Sequence, residues 1–131
     1  MVYGVCVAKW VSVALRVSSP YIPGGALHGH DYKVRVCVEG GLGGDNKVVD
    51  HLELLAQLEK CLRSINYRYL NEVLGTQNPT AELLAKKIAD CLSGYAATRN
   101  TRIALVEVCT ASELCSYYRA VVDNVDAPHY K

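Results

Sequence analysis

Residues 27–39 read LHGHDYKVRVCVE. From Tyr32 to Val38 apolar residues fill every second position, and this period of two predicts a β-strand with one buried face. The first seventeen residues, MVYGVCVAKWVSVALRV, alternate in the same way and are rich in Val. The segment between these two runs, Ser18 to Gly25, carries two Pro and two Gly and favours a loop. We therefore predict that the two strands form one long hairpin.

Two amphipathic helices are predicted after this hairpin. The first follows Asp50, a residue type that caps helix N-termini, and its leucines at helical spacing are Leu52, Leu55, Leu58 and Leu62. The second follows Thr80, which can cap it in the same way. Its apolar stripe consists of Leu83, Leu84, Ile88 and Leu92. Two more apolar runs, Arg102 to Cys109 and Cys115 to Val122, flank a short turn and predict a second hairpin.

The predicted element order is β-β-α-α-β-β, over one domain of residues 1–131. Helices that are segregated from antiparallel strands define an α+β fold. We expect a four-stranded antiparallel sheet with two helices on one face. Such a sheet exposes two edges, and edges of this kind are commonly hidden when subunits assemble into a closed barrel. The sequence therefore also favours a symmetric homo-oligomer.

Composition narrows the classes of partner. Half of the 131 residues are apolar, 21% are charged, and the formal net charge is +1, which is ordinary for a soluble globular protein. No concentrated basic run favours nucleic acid, and no apolar run approaches the roughly 20 residues of a membrane span. The N-terminal stretch alternates, so it is interpreted as a strand rather than a signal peptide, and a cytoplasmic location is expected.

Three side chains have chemical interest on spacing alone. His28 and His30 are two apart on a predicted strand, so both imidazoles face one side, as two ligands of a zinc ion would. The alternative interpretation is a pair of hydrogen-bonding strand residues. Glu107 interrupts the apolar run of a later strand, and a carboxylate there is costly to bury without partners.

Five segments together resemble the 6-pyruvoyl-tetrahydropterin synthase / 6-carboxy-tetrahydropterin synthase family. They are LHGHDY (27–32), KVVD (47–50), YLN (69–71), NPTAE (78–82) and VEVCT (106–110). They occur in the family's order and span nearly the whole chain. The resemblance implies a tunnel fold, in which trimers close a barrel, often stack as hexamers, and hold their active sites between subunits.

The resemblance also implies a chemistry. The family's enzymes are zinc-dependent carbon–oxygen lyases that act on 7,8-dihydroneopterin triphosphate, with zinc on three His, a Cys as base and an Asp-His pair as its partner. By the same resemblance, Glu107 would accept N–H bonds from the 2-amino-pyrimidinone edge of a pterin-like or purine-like ring. Thr80 and Glu82 would assist, and His28 and His30 would be the metal ligands.

Several of the family's residues are replaced in this chain. The first zinc His falls on Leu15, the catalytic Cys on Gly24, and the Asp-His pair on Asn66-Tyr67. Leu cannot ligate zinc and Gly cannot transfer a proton. We therefore assign no catalytic residue, and we expect zinc binding to be weak or absent, because two His without a third ligand hold zinc poorly.

Three interpretations of function stay open, and so does the question whether the protein is an enzyme. The first is a divergent homologue that binds a pterin-like or guanine-like ring at subunit interfaces, with impaired or altered lyase chemistry. The second is an active zinc-dependent lyase in which residues such as Cys109 or His51 substitute for the missing ones. The third is a non-catalytic structural or partner-binding oligomer. His129 lies in a polar tail and is not assigned a role.

The six cysteines are predicted to stand in three pairs. If Leu15 lies opposite His28, as the family's shared zinc ligation implies, the same register puts Cys6 opposite Cys37. Cys109 and Cys115 flank the turn of the last hairpin, and Cys61 and Cys91 lie on the two helices. Opposed strand residues come within disulfide distance, although small buried apolar residues are the alternative interpretation.

Overall fold

A computed structural model describes residues 2–21 and 25–121 and confirms the α+β class. Its elements are β1 (Tyr3–Leu15), β2 (His28–Gly40), α1 (His51–Leu62), β3 (Arg68–Tyr69), α2 (Leu70–Leu74), α3 (Ala81–Thr98), β4 (Arg102–Cys109) and β5 (Cys115–Arg119). The strands form one mixed sheet in the order β3-β1-β2-β4-β5. None of the described helices combines the length and apolar character that a membrane-crossing helix needs.

The sheet has five strands, and not the four that were expected. The four long strands pair antiparallel as predicted, but the two-residue β3 adds a parallel edge to β1, with Arg68 beside Val13 and Tyr69 beside Ala14. The short helix α2 follows β3 directly and was also not predicted. β5 ends at Arg119, and the remainder of its predicted run reaches Val122, which lies outside the described residues.

The β1–β2 hairpin fixes which side chains face the helices. Its thirteen pairs run from Tyr3 opposite Gly40 to Leu15 opposite His28. Because strand side chains alternate between the two faces, one face carries the buried residues and the other is open. The buried set on β1 and β2 is Val5, Val11, Val13, Leu15, Tyr32, Val34, Val36 and Val38. We call the opposite side of the sheet the helix-free face; on β1 and β2 it includes Cys6, Trp10, Lys33, Arg35 and Cys37.

The helices cover the face that carries the buried residues, and α1 and α3 both begin at the predicted caps. The Asp50 carboxylate accepts a hydrogen bond from the Leu52 N–H at 2.8 Å, and the Thr80 hydroxyl accepts one from the Leu83 N–H at 3.2 Å. These bonds satisfy backbone donors that a helix leaves free at its start.

The predicted stripe of α1 was partly wrong. Its buried residues are Leu54, Leu58, Cys61 and Leu62, whereas Leu52 is 75% exposed. At 3.6 residues per turn, positions 52 and 54 lie about 200° apart, so only one of them can face the sheet. On α3 the buried residues are Leu84, Ala85, Ile88, Ala89, Leu92 and Ala96. Leu83, which was placed in the stripe, is exposed.

The three predicted cysteine pairs are all disulfide-bonded. Cys6–Cys37 and Cys109–Cys115 join directly opposed strand residues, with Cα atoms 4.1 and 4.0 Å apart. Cys61–Cys91 joins α1 to α3 with Cα atoms 6.2 Å apart. Each bridge therefore ties together two elements that already pack against each other.

Truncating the core leucine of α1 should destabilise the protein strongly. Leu58 is completely buried, so Leu58→Ala removes apolar burial and leaves a cavity, at a cost of about 2–5 kcal/mol. Leu52→Ala on the same helix is the matched control, with an expected change of about 0.5 kcal/mol or less. Chemical denaturation of the oxidised proteins measures both values. Equal losses for the two variants would contradict the described rotation of α1.

Candidate functional site

His28 and His30 lie together at the end of β2 that is nearest the loop. Both side chains are half-buried, and their ring centroids are 5.0 Å apart with the planes nearly perpendicular. The Nδ1 atom of His28 is 2.9 Å from the carbonyl oxygen of Ala26. Burial first, and the neighbouring His28 second, lower the pKa of His30, so the neutral imidazole is favoured.

Tyr32 extends this cluster towards the helices. Its ring stacks on His30 with centroids 5.2 Å apart. Burial, followed by the charge of Glu82, raises the pKa of the Tyr32 hydroxyl. Glu82 lies in the first turn of α3, directly after the cap residue Thr80. The predicted residues His28, His30, Thr80 and Glu82 therefore lie on the helix-covered side of the sheet.

Glu107 lies on the opposite side. β4 pairs it with Arg35 of β2 and with Tyr117 of β5, and its neighbours Val106 and Val108 are buried under the helices. Its side chain therefore faces away from the helices. Within the described part of the chain, the Glu107 carboxylate makes no hydrogen bond or ion pair. A single copy of the chain does not bring Glu107 together with the histidine cluster.

Leu15 occupies the position opposite His28, as the resemblance implied. It is 2% exposed and belongs to the apolar core. Gly24, at the position of the family's catalytic Cys, and His129 lie outside the described residues. His51 is exposed at the first position of α1. Cys109 is bonded to Cys115, so its sulfur is not a free thiol.

Asn66 and Tyr67, at the position of the family's Asp-His pair, hold the edge of β1. The Asn66 side-chain oxygen accepts a hydrogen bond from the Ser12 N–H at 2.9 Å, and the Tyr67 N–H donates to the Ser12 carbonyl at 2.7 Å. Asn71 does the same further along, with hydrogen bonds in both directions to the Arg16 backbone at 2.9 Å. These amides continue the short β3 pairing, a role that the sequence did not predict.

A groove of about 570 Å³ opens elsewhere, between the helices. It is lined by residues of α1, α2 and α3 and by the chain that joins α1 to β3, including the Cys61–Cys91 bridge. It contains none of the residues predicted to bind substrate or metal, so it does not enter the site.

The sequence as a whole identifies the family. A family model described as 6-pyruvoyl tetrahydropterin synthase matches residues 7–120. The chain belongs to the 6-pyruvoyl tetrahydropterin synthase family. The match spans β1 to β5 almost completely, and therefore includes both the histidine cluster and Glu107.

Several solved structures are similar to this chain in fold. The 6-pyruvoyl tetrahydropterin synthase of Caenorhabditis elegans is similar with a TM-score of 0.76 and 18% identity, over 92% of this chain and 97% of that chain. The Plasmodium falciparum 6-pyruvoyl tetrahydropterin synthase is similar with a TM-score of 0.69 and 13% identity, over 91% of this chain and 99% of that chain. An uncharacterised protein from Wolinella succinogenes is similar with a TM-score of 0.69 and 16% identity, over 91% of this chain and 98% of that chain. At these identities the likeness establishes the tunnel fold.

The residues of this 6-pyruvoyl tetrahydropterin synthase homologue do not fit the family's zinc. A zinc site normally needs at least three protein ligands, and Leu15 stands where the third belongs. Among the described residues, the one group of three potential ligands is Glu107, Cys109 and Cys115. That group lies on the other face of the sheet, and its two sulfurs are bonded to each other. We therefore derive no catalytic step through zinc.

Protein purified oxidised and without chelator should contain well under one zinc per chain, because His28 and His30 lack a third ligand. Elemental analysis measures this. Leu15→His is the informative companion variant, since it restores an imidazole directly opposite His28 and should raise the zinc content towards one per chain. Stoichiometric zinc in the wild type that disappears in His28→Ala would contradict the assignment.

The stability of the protein should fall as the pH drops below about 6.5. Because the pKa of His30 is lowered in the folded state, the unfolded chain binds a proton at this residue more readily, and acid favours unfolding. The variant His30→Gln should show a smaller loss of unfolding free energy between pH 7.5 and pH 5 than the wild type. Denaturant titrations across that range measure it. An unchanged pH dependence would contradict the burial of the imidazole.

Proposed function

We propose that this protein is a divergent 6-pyruvoyl tetrahydropterin synthase homologue that binds a pterin-like or guanine-like ring through Glu107, with impaired or altered lyase chemistry. The observation that carries the proposal is the Glu107 carboxylate. It is half-buried in the middle of β4, and no described residue donates a hydrogen bond to it. A carboxylate in that state has two acceptor oxygens available, which complement the two N–H donors of a 2-amino-pyrimidinone edge.

The neighbours of Glu107 support a planar ligand. Tyr117 lies directly opposite on β5 and is 59% exposed, with the Arg119 guanidinium over its ring at 5.5 Å. Part of an aromatic surface is therefore accessible next to the carboxylate. Arg35 lies opposite on β2 and offers guanidinium donors to an oxygen of the ligand or its side chain. In the proposed complex Glu107 fixes the edge of the ring, while Tyr117 contacts its face.

The proposed site forms between subunits of a homotrimer or homohexamer. Glu107 and the histidine cluster with Thr80 and Glu82 lie on opposite faces of one sheet, so a single ligand can meet both only if two chains contribute. The edges of the sheet support assembly, because β3 covers only two residues of β1 and no further strand pairs with β5 among the described residues. Exposed edges of this kind favour pairing with another chain.

The proposed loss of chemistry rests on four positions. Leu15 is part of the core, Asn66 and Tyr67 hold β1, and Gly24 has no group that can transfer a proton. The one cysteine near Glu107 on its own strand, Cys109, is in a disulfide, which argues against its use as a substitute base. Each missing acid–base group typically costs about 10²–10⁴-fold in rate. Strong lyase activity on 7,8-dihydroneopterin triphosphate is therefore not expected.

We also propose that residues 1–131 form one domain, which binds small-molecule ligands and has no nucleic-acid or membrane partner. The cytoplasmic location that was expected from the sequence stays a proposal. Three disulfides are unusual in an ordinary cytosol, but intracellular proteins of hyperthermophiles are rich in them. The cytosol of a hyperthermophile is compatible with both the three disulfides and the proposed location.

Replacing the Glu107 carboxylate should weaken ring binding strongly without unfolding the protein. Glu107→Gln keeps the shape of the side chain but loses the charge and one acceptor, which should weaken binding of a pterin or guanine nucleotide by roughly 100-fold. Glu39→Gln is the matched control, because Glu39 is on β2 and already pairs with Arg102. Isothermal titration with a panel of pterins and guanine nucleotides measures both.

Two results would contradict the proposed function. Equal affinities of the wild type and Glu107→Gln for the same ring would remove Glu107 from the site. Rapid conversion of 7,8-dihydroneopterin triphosphate by the wild type would show that the chemistry is intact, and would favour the active-lyase interpretation.

A further inference from the structure

A second chemical feature surrounds Glu107. The carboxylate oxygen of Glu107 and the sulfur atoms of Cys109 and Cys115 all lie within 4.8 Å of one another. Glu107 and Cys109 are two apart on β4 and therefore share the helix-free face, and Cys115 stands opposite Cys109 on β5. While the two sulfurs are bonded, neither can act as a thiolate ligand.

We propose that reduction of the Cys109–Cys115 disulfide creates a zinc site formed by the two thiolates and the Glu107 carboxylate. The site takes a soft divalent cation, because thiolates select zinc-like metals over magnesium or calcium. Two sulfurs and one oxygen give the three protein ligands that zinc commonly uses, with water as the fourth. The site requires no ring ligand, so it does not depend on the proposed function.

The distances suit such a site. Zinc binds sulfur at about 2.3 Å and carboxylate oxygen at about 2.0–2.2 Å, so two sulfurs of a tetrahedral centre lie ~3.8 Å apart. After the bond is broken, the two side chains need only rotate until their sulfur atoms are that far apart. Cys115 is exposed and Cys109 is half-buried, which leaves room for the metal and for its water.

The hairpin keeps the two cysteines opposed without the disulfide. The turn is closed by a hydrogen bond from the Thr110 N–H to the Leu114 carbonyl at 3.0 Å, and the Leu114 N–H donates to the Thr110 hydroxyl at 3.1 Å. β4 is also held by its pairing with β2. Reduction should therefore leave a preformed pair of thiols and not a loose loop.

The reaction balances with a dithiol reductant. The reductant supplies two electrons and two protons, the S–S bond breaks, two S–H bonds form, and the reductant leaves as its own cyclic disulfide. Zinc then displaces both thiol protons to solvent as the two Zn–S bonds form. Lys33 lies opposite Cys109 and Arg35 lies opposite Glu107, so two cationic residues border the proposed ligand group.

Cys6–Cys37 provides an internal control. It is also a directly opposed pair, with a Cα separation of 4.1 Å against 4.0 Å, and it is on the same face of the sheet. No described carboxylate or histidine completes a group of three around it. The two pairs therefore separate the contribution of the third ligand from that of two adjacent thiols.

The test uses two variants that each keep one strand pair. The first carries Cys6→Ser, Cys37→Ser, Cys61→Ala and Cys91→Ala; the second carries Cys61→Ala, Cys91→Ala, Cys109→Ser and Cys115→Ser. Each is reduced with dithiothreitol, desalted under argon and titrated with Co²⁺, whose thiolate complexes absorb in the near ultraviolet, and then with Zn²⁺ in competition. The oxidised proteins are titrated in parallel.

We expect the reduced first variant to bind one metal per chain and its oxidised form to show no thiolate–metal absorption. The second variant should bind at least about tenfold more weakly. Adding Glu107→Gln to the first variant should weaken its binding by at least about tenfold as well. Equal affinity in the two variants, no effect of Glu107→Gln, or no absorption after reduction would overturn the proposal.

Circular dichroism of the oxidised variants shows whether the multiple replacements unfold the chain. If they do, the wild type and a single variant provide a second comparison. Reduced wild type and reduced Glu107→Gln then carry the same six cysteines and differ only in the third ligand. A loss of at least about tenfold in the tightest Zn²⁺ affinity supports the site. An unchanged affinity overturns it.

Discussion

The register of β1 against β2 is the constraint on which the other features of the structure depend. Thirteen consecutive pairs form without a shift. Because strand side chains alternate, a slip of one residue would turn Val34 and Val36 to the helix-free face and bring Lys33 and Arg35 under the helices. The same register opposes Cys6 with Cys37 and Leu15 with His28. The apolar core, one disulfide and the altered histidine site are thus consequences of one pairing.

Leu15 shows how a metal position can become a core position. In a three-histidine site this residue would be a ligand that requires polar surroundings, whereas here it is buried among aliphatic side chains. Burying a leucine contributes about 1.5–3 kcal/mol, so this end of the sheet is stabilised by packing that needs no ion. The two remaining histidines then contact each other edge to face, and His30 stacks on Tyr32. Burial of the His30 imidazole in this cluster lowers its pKa.

Local patterns were sufficient to predict the four long strands and both helix caps, because alternation and capping residues are properties of short windows. Of the cysteine pairs, Cys6–Cys37 followed from a register that the family resemblance implied, whereas the other two followed from the last hairpin and from the two helices. The parallel pairing of β3 could not be predicted in this way. The side chains of Asn66 and Asn71 make hydrogen bonds to the backbone next to it, in place of those that a longer strand would make with its own backbone. The rotation of α1 was also ambiguous, since its leucines occupy both sides of the helix and only the packed sheet selects Leu54 and Leu58.

The face of Glu107 could not be predicted for a related reason. Its orientation relative to His28 depends on how β4 pairs with β2, which sets Glu107 opposite Arg35 on the helix-free face. Alternation along β4 separates the two faces of that strand, but only the pairing with β2 shows which of them lies on the side of the histidines. The sequence identified Glu107 and the histidines as candidate functional residues. Only the fold showed that they lie on opposite faces of the sheet.

The order of the disulfides along the chain has a consequence for synthesis and for cleavage. Each cysteine is bonded to its neighbour in sequence, as Cys6–Cys37, Cys61–Cys91 and Cys109–Cys115, so the three closed loops follow one another and never interlock. Of the fifteen possible connectivities of six cysteines, this is the one in which every pair is complete before the next pair emerges from the ribosome. A backbone cut between two loops would leave no covalent link across it, and the pieces would be held by the shared core alone.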